Sequence, residues 1–137
     1  MLTENDVVNA VCRYLTKENF LIVQHCATTQ RGIDIIAQHK TRKGRLLVEA
    51  KGETSARIGS ARHGKEFSAS QMFDHIAKCF YSAVRLQSKH ADDGDTVAMA
   101  FPNTPKIRKY LDPIASTVAT LGLTVYLVEP NLSVTTL

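Results

Sequence analysis

An α/β fold built on one central sheet is predicted by two kinds of apolar pattern that alternate along these 137 residues. Short apolar runs of strand length are bounded by polar or glycine-containing turns. Longer segments between them repeat apolar residues at helical spacing. The resulting order is helix, three strands, helix, strand, helix, strand. No repeat, linker or low-complexity tract interrupts it, so we expect a single domain over residues 1–137.

The composition is that of an ordinary globular protein, with 44% hydrophobic and 22% charged residues. No run approaches the eighteen or so apolar residues of a membrane span, and the N-terminus lacks the basic and apolar regions of a signal peptide. We therefore expect a cytoplasmic protein without a membrane partner. A formal charge of +4 and a pI near 9.1 allow an anionic partner without requiring one.

The first helix is predicted from Thr3 to Glu18, because Thr3-Glu4-Asn5-Asp6 has the form of a capping box and apolar residues then recur at helical spacing. Phe20–Val23 follows as a buried strand.

Two further strands form a predicted hairpin, Arg31–Ala37 and Arg45–Gly52. The residues from Lys40 to Arg45 between them hold four cations and a glycine. If the hairpin is symmetric about Thr41-Arg42, Asp34 lies directly opposite Glu49.

Three charged side chains in this hairpin indicate chemistry. Glu49 and Lys51 share one face because strand side chains alternate, and Asp34 faces Glu49 from the other strand. Two facing carboxylates repel each other, whereas a hard divalent cation such as magnesium would bind both. An ammonium beside them completes a set able to cut a phosphodiester.

At Asp34 and Glu49-Ala50-Lys51 the sequence resembles the PD-(D/E)XK nuclease superfamily, which includes restriction enzymes, Holliday junction resolvases and Mrr-like enzymes. Gly32-Ile33 stands where some members have Pro. The resemblance covers about the first two-thirds of the chain. It implies a restriction-endonuclease-like αβββαβ core with a mixed central sheet flanked by helices, to which the last helix and strand add a C-terminal αβ extension.

The resemblance also implies a metal-dependent endonuclease that hydrolyses DNA and leaves a 5′-phosphate. Asp34, Glu49 and the backbone carbonyl of Ala50 would bind Mg²⁺, with Mn²⁺ as the alternative, and Lys51 would orient or deprotonate the attacking water. No base-reading motif is recognisable, so we expect specificity for DNA structure or specificity set by a partner. The alternatives are a non-cleaving nucleic-acid-binding module and an unrelated α/β domain in which these residues form a salt-bridge cluster.

Two further candidate site residues have a structural alternative. Glu4 is either a metal-binding glutamate on the first helix, as in some members of the superfamily, or an acid that complements the helix dipole. Gln71 is either a catalytic residue near the metal-bound phosphate or the partner of Ser68 in a capping box.

Cations in two segments are candidates for phosphate binding. The hairpin turn would hold phosphates beside the cut site, or be merely solvated. The glycine-rich loop from Gly52 to Phe67 would be a flap that orders on nucleic acid, or a disordered insertion. The candidates are Lys40, Arg42, Lys43, Arg57, Arg62 and Lys65.

The second half of the chain predicts the remaining elements. They are a helix from Ser68 to about Gln87, a solvated acidic turn at Ser88–Gly94, a strand at Thr96–Phe101, a helix from Pro105 to Gly122 kinked by Pro113, and a strand at Leu123–Glu129. The apolar residues of the tail, Leu132, Val134 and Leu137, suggest a homodimer contact, and two sites related by two-fold symmetry would suit a two-strand cut.

Overall fold

The computed structural model describes residues 1–25, 32–55 and 64–137. Its elements are α1 (Glu4–Lys17), β1 (Phe20–His25), β2 (Ile35–His39), β3 (Arg45–Ala50), α2 (Ala69–His90), β4 (Thr96–Pro102), α3 (Pro105–Leu111), α4 (Ala115–Thr120), β5 (Thr124–Val128) and β6 (Val134–Thr136). Two 3₁₀ turns, Ala91–Asp93 and Asp112–Ile114, follow α2 and α3.

The strands form one mixed sheet in the order β1-β2-β3-β4-β5-β6. β1, β2 and β3 are antiparallel, β3, β4 and β5 are parallel, and β6 is antiparallel to β5. The parallel pairs need crossover connections, which α2 and the α3–α4 segment provide. α1 packs on one face of the sheet and the other helices on the opposite face, so the expected α/β architecture is confirmed.

The central strands are apolar on both faces because helices cover both. From β3, Val48 and Ala50 pack with α1, whereas Leu47 packs with α2. Near-continuous apolar runs are typical of strands buried on both sides. Polar side chains at the ends of such strands are therefore exceptions to a uniform pattern.

The hairpin register is the predicted one. Ile35 pairs with Val48 and Gln38 with Arg45, which centres the hairpin between Thr41 and Arg42. Gly44 in the turn has φ +85°, and a Cβ there would lie 2.2 Å from the carbonyl oxygen of Gly94. Glycine is needed here both for the left-handed backbone and for this close approach.

β1 is an edge strand, so the prediction of a buried strand is wrong. Leu21 and Val23 are 57% and 64% exposed. The helix α2 lies over β3 and β4 and leaves the face of the sheet at β1 uncovered. A register irregularity between Ile22 and Gln24 further distinguishes β1 from a regular inner strand.

The C-terminal third differs from prediction in two places. Around Pro113 the predicted kinked helix is divided into α3, a 3₁₀ turn and α4, because proline lacks the N–H of an intrahelical bond. The tail forms the unpredicted strand β6, in which Val134 packs against the core of its own chain. Val134 is thus not available for a dimer contact, while Leu132 and Leu137 stay 39% exposed. Within the described ranges, no helix combines the length and apolar character needed to cross a membrane.

Candidate functional site

Asp34 and Glu49 meet at the end of the hairpin that is remote from its turn. Asp34 immediately precedes β2, is 9% exposed, and accepts a hydrogen bond from the backbone N–H of Ala50 at 2.8 Å. Its carboxyl also shares a hydrogen bond with that of Glu49. Burial, and then the neighbouring charge of Asp34, raises the pKa of Glu49 to about 8. Burial raises the pKa of Asp34 as well, so the two carboxyls share one proton.

Glu4 and Lys51 complete a cluster of three carboxyls and one ammonium. The Glu4 Oε2 lies 4.0 Å from the Lys51 Nζ, with both side chains partly buried. Burial and the charge of Asp34 raise the pKa of Glu4 to about 7, although Lys51 opposes this shift. We call Glu4, Asp34, Glu49 and Lys51 the acidic cluster. The structure thus brings together both strands of the predicted motif and the first turn of α1.

The start of α1 is held against the end of β3 by backbone contacts. The N–H of Glu53 donates to the carbonyl oxygen of Leu2, and Thr54 forms a β-bridge with Thr3. Gly52 allows this approach, since a Cβ on it would lie 2.4 Å from the backbone nitrogen of Glu4. Glycine after Lys51 is therefore what positions Glu4 in the cluster.

Replacing Gly52 with alanine is expected to lower the free energy of unfolding by about 1–3 kcal/mol, because the backbone of α1 must shift to admit the methyl group. Glu4 moves with it, so cleavage should fall more than in Gly64→Ala. A Cβ on Gly64 would meet nothing within 4 Å, so this control lacks the backbone contact of Gly52, and only the strain of alanine at φ +74° affects it. Urea unfolding and cleavage rates measure the two effects. Unchanged stability of Gly52→Ala would contradict the tight contact.

The structure confirms the capping-box interpretation of Gln71. Its Oε1 accepts the backbone N–H of Ser68 at 2.9 Å, and the Ser68 hydroxyl accepts the N–H of Gln71. The catalytic role of Gln71 stays a prediction. One turn further along α2, the ring of His75 stacks on that of Phe67 with centroids 4.5 Å apart. Burial, followed by the charges of Lys51 and Lys78, lowers the pKa of His75. A neutral imidazole therefore borders the cluster.

The predicted phosphate-binding cations are not gathered at the cluster. Lys40, Arg42 and Lys43 are exposed in the hairpin turn, about 20 Å along the strands from Asp34. The sequence predicts that these cations hold phosphates beside the cut site. The structure does not allow this, because the turn and the carboxylates occupy opposite ends of the hairpin. Lys65 is exposed, and its carbonyl accepts a hydrogen bond from the Thr54 hydroxyl. Arg57 and Arg62, with half of the predicted flap, lie outside the described residues.

A second group of acids lies at the other end of β3. The Asp95 carboxylate binds the Arg45 guanidinium at 2.8 Å and is approached by His90, which also contacts Asp93. The side chain of Asp95 is only 3% exposed, so the prediction of a solvated acidic turn holds for Asp93 but does not extend to its neighbour Asp95. Although the donor atoms of His90, Asp93 and Asp95 lie within 4.8 Å of one another, Arg45 already neutralises Asp95. We interpret this group as an ion-pair network.

The acidic cluster has the oxygen donors that a hard divalent cation prefers. Its three carboxyls are spaced more widely than the second group, since among the described residues only His90, Asp93 and Asp95 have donor atoms that all lie within 4.8 Å of one another. Its three carboxyls exceed its single ammonium, they are largely withdrawn from water, and they come from three chain segments, with Asp34 and Glu49 in direct contact and Glu4 reaching them through Lys51. Oxygen donors of this kind suit Mg²⁺ or Mn²⁺, and a cation would replace the proton that Asp34 and Glu49 share. An ordinary salt bridge would need no second or third carboxyl.

No protein-family model, curated protein or solved structure is significantly similar to the chain. The residues of the acidic cluster and their surroundings therefore carry the functional conclusion by themselves.

Proposed function

We propose that the protein is a metal-dependent endonuclease that hydrolyses DNA phosphodiester bonds. The acidic cluster carries this proposal, because three largely buried carboxyls and one ammonium at the end of two adjacent strands provide both a cation site and a positive group for the phosphate. Mg²⁺ is the proposed cofactor and Mn²⁺ the alternative. DNA is the proposed partner, recognised by its structure or through another protein.

The proposed fold is the restriction-endonuclease-like αβββαβ core. The order α1, β1, β2, β3, α2, β4 agrees with this core. Asp34 next to β2 and Glu49 on β3 agree with a PD-(D/E)XK motif on adjacent antiparallel strands. α3, α4, β5 and β6 would then be the C-terminal extension, with β6 added to the αβ unit predicted from the sequence.

Asp34, Glu49 and the carbonyl of Ala50 would hold the metal, with Glu4 as an additional oxygen donor. When bound, the metal would polarise the scissile phosphate and lower the pKa of a coordinated water. The N–H of Ala50 fixes the Asp34 carboxylate in one orientation, and the burial of both carboxyls strengthens their attraction for a cation.

Lys51 would act on the substrate itself. It projects on the same face as Glu49, two residues away, and is 28% exposed, so its ammonium can reach a phosphate oxygen. There it would offset charge that develops in the transition state and orient the attacking water. Pairing with Glu4 would hold the ammonium in place between turnovers.

The decisive experiment compares native protein with Lys51→Ala on labelled linear duplex, single strand, flap and four-way junction, with Mg²⁺, Mn²⁺ or EDTA. We expect metal-dependent cleavage that falls roughly 10²–10³-fold in Lys51→Ala. Lys17→Ala is the matched control, since Lys17 lies at the other end of α1 from Glu4.

Each result selects one interpretation. Cleavage that survives in Lys51→Ala would exclude the assignment of Lys51. Salt-dependent DNA binding without cleavage would favour a non-cleaving nucleic-acid-binding module on the same fold. Neither binding nor cleavage would leave the cluster as an ion-pair group in an unrelated α/β domain.

A further inference from the structure

A groove leads away from the acidic cluster along α2. Glu49 lies at one end of it, Gly32 and Ile33 line the strand side, and Ser82, Arg85 and Lys89 line the helix side. Its volume is about 270 Å³. Because Gly32 and Ile33 directly precede Asp34, a molecule in this groove would adjoin both carboxyls of the hairpin.

Two cations on the helix side of this groove, Arg85 and Lys89, continue a row that begins outside the groove at Lys78. Lys78, Arg85 and Lys89 are spaced seven and four residues apart, so they project from the same side of α2. All three are exposed. None of them forms an ion pair with a residue in the described ranges, in contrast to Arg45, Lys106 and Arg108. We call Lys78, Arg85 and Lys89 the α2 cationic row.

The α2 cationic row suits a polyanion that passes the cluster. It extends for about 17 Å along the helix, which is enough to follow several phosphates of one strand. Lys78 is also close enough to Lys51 for both charges to act on His75. The row therefore begins beside the proposed cut site and continues away from it along the groove.

The dimensions of the groove favour one strand over two. A volume of about 270 Å³ is that of a small-ligand pocket, so the groove itself can take part of one strand, whereas a duplex could only lie across its mouth. Tyr81, one helical turn before Arg85, lies outside the groove on the same helix and is 68% exposed. Exposed aromatic rings beside cations are the usual means of binding unpaired bases, since bases within a duplex are already stacked.

We propose that the α2 groove binds a single-stranded segment of the substrate, with the α2 cationic row on its phosphates and Tyr81 stacked on a base. This inference rests on the proposed function, which identifies the acidic cluster as the cut site. The binding that it describes does not require cleavage. The substrate class is then DNA with an unpaired strand next to the scissile bond, such as a flap, a splayed end or an opened junction.

The test is binding of labelled oligothymidylate of about 20 nucleotides, and of a duplex of the same length, followed by fluorescence anisotropy in EDTA at several salt concentrations. The variant is Arg85→Gln/Lys89→Gln. Its control, Arg13→Gln/Lys17→Gln, removes an Arg and a Lys with the same four-residue spacing from exposed positions on α1, which packs on the opposite face of the sheet.

We expect the α2 variant to bind single strand roughly tenfold more weakly at low salt. The slope of log affinity against log salt should fall by about 1.4, the value for two lost phosphate contacts on a single strand. Tyr81→Ala should weaken binding by roughly tenfold and Tyr81→Phe should not, because phenylalanine still stacks. The control should bind as the native protein does.

Equal losses in the α2 variant and the control, tighter binding of duplex than of single strand, or no binding at all would overturn the inference. Cleavage that is independent of the α2 cationic row would refute the single-strand inference and leave the proposed nuclease function standing. Row-dependent binding by a protein that never cleaves would refute the proposed nuclease function and leave the single-strand groove intact.

Discussion

Replacing Glu49 with glutamine is expected to reduce cleavage by roughly 10³-fold or more, while the metal-free protein becomes more stable near pH 8. Glutamine keeps the size and a hydrogen-bonding capacity of glutamate, but it cannot supply an anionic oxygen to a cation. It also removes a carboxyl that this site holds protonated until about pH 8. Loss of activity and gain of stability from one change would identify a site maintained for function against its own electrostatic repulsion.

Two companion variants make this experiment specific. Asp34→Asn should lose activity to a similar extent, and its side-chain oxygen can still accept the N–H of Ala50. Glu18→Gln is the control for charge removal, because Glu18 is exposed at the C-terminal end of α1. Cleavage by Glu49→Gln at the native rate would exclude Glu49 as a metal ligand, and lower stability at pH 8 would contradict the strained carboxyl pair.

The hairpin and its carboxyl pair could be predicted from the sequence because they depend on local rules. Strand alternation and a symmetric turn determine that Asp34 lies opposite Glu49, and the register of Ile35 with Val48 follows the same symmetry. A single irregularity in the turn would have shifted this pairing by one residue, and none is present.

Glu4 could not be assigned in the same way. Its position in the first turn of α1 already has a local explanation in the helix dipole. Its approach to Lys51 depends on contacts between residues about fifty positions apart, namely Gly52 with the start of α1 and Glu53 with Leu2. The sequence shows that a glycine follows Lys51, but only the tertiary structure shows which backbone occupies the space where a Cβ of residue 52 would lie.

The exposure of β1 and the groove along α2 could not be predicted from sequence patterns either. Leu21 and Val23 have the composition of a buried strand, yet their burial depends on which strands α2 covers. Arg85 falls on the polar side of the α2 pattern, which is the expected position for a solvated cation. Only the placement of α2 beside Gly32 and Ile33 turns this polar side into one wall of a groove.

Stability of the metal-free protein is expected to fall as pH rises from about 5 to 8. Burial raises the pKa of Glu49 from 4.5 to about 8 and that of Glu4 to about 7 in the folded protein. Above the ordinary pKa of a glutamate, the folded state therefore binds more protons than the unfolded chain does, so the free energy of unfolding decreases with pH. The decrease ends near pH 8, where Glu49 ionises in the folded protein as well. Because Asp34 and Glu49 share one proton, their contributions do not simply add, and the total decrease in the free energy of unfolding is on the order of a few kcal/mol.

Mg²⁺ should reverse this loss, and increasingly so at higher pH, because metal and protons compete for the same carboxyl oxygens. Thermal unfolding at pH 6 and pH 8, with Mg²⁺ or EDTA, measures both effects.

His75 titrates in the opposite sense, since its lowered pKa makes the folded state lose stability as pH falls below about 6.5. The difference between native protein and Glu49→Gln cancels this contribution. A metal-free stability that is equal at pH 6 and pH 8 after this subtraction, or a Mg²⁺ effect that is equal at the two pH values, would show that the three carboxyls do not form one cation site.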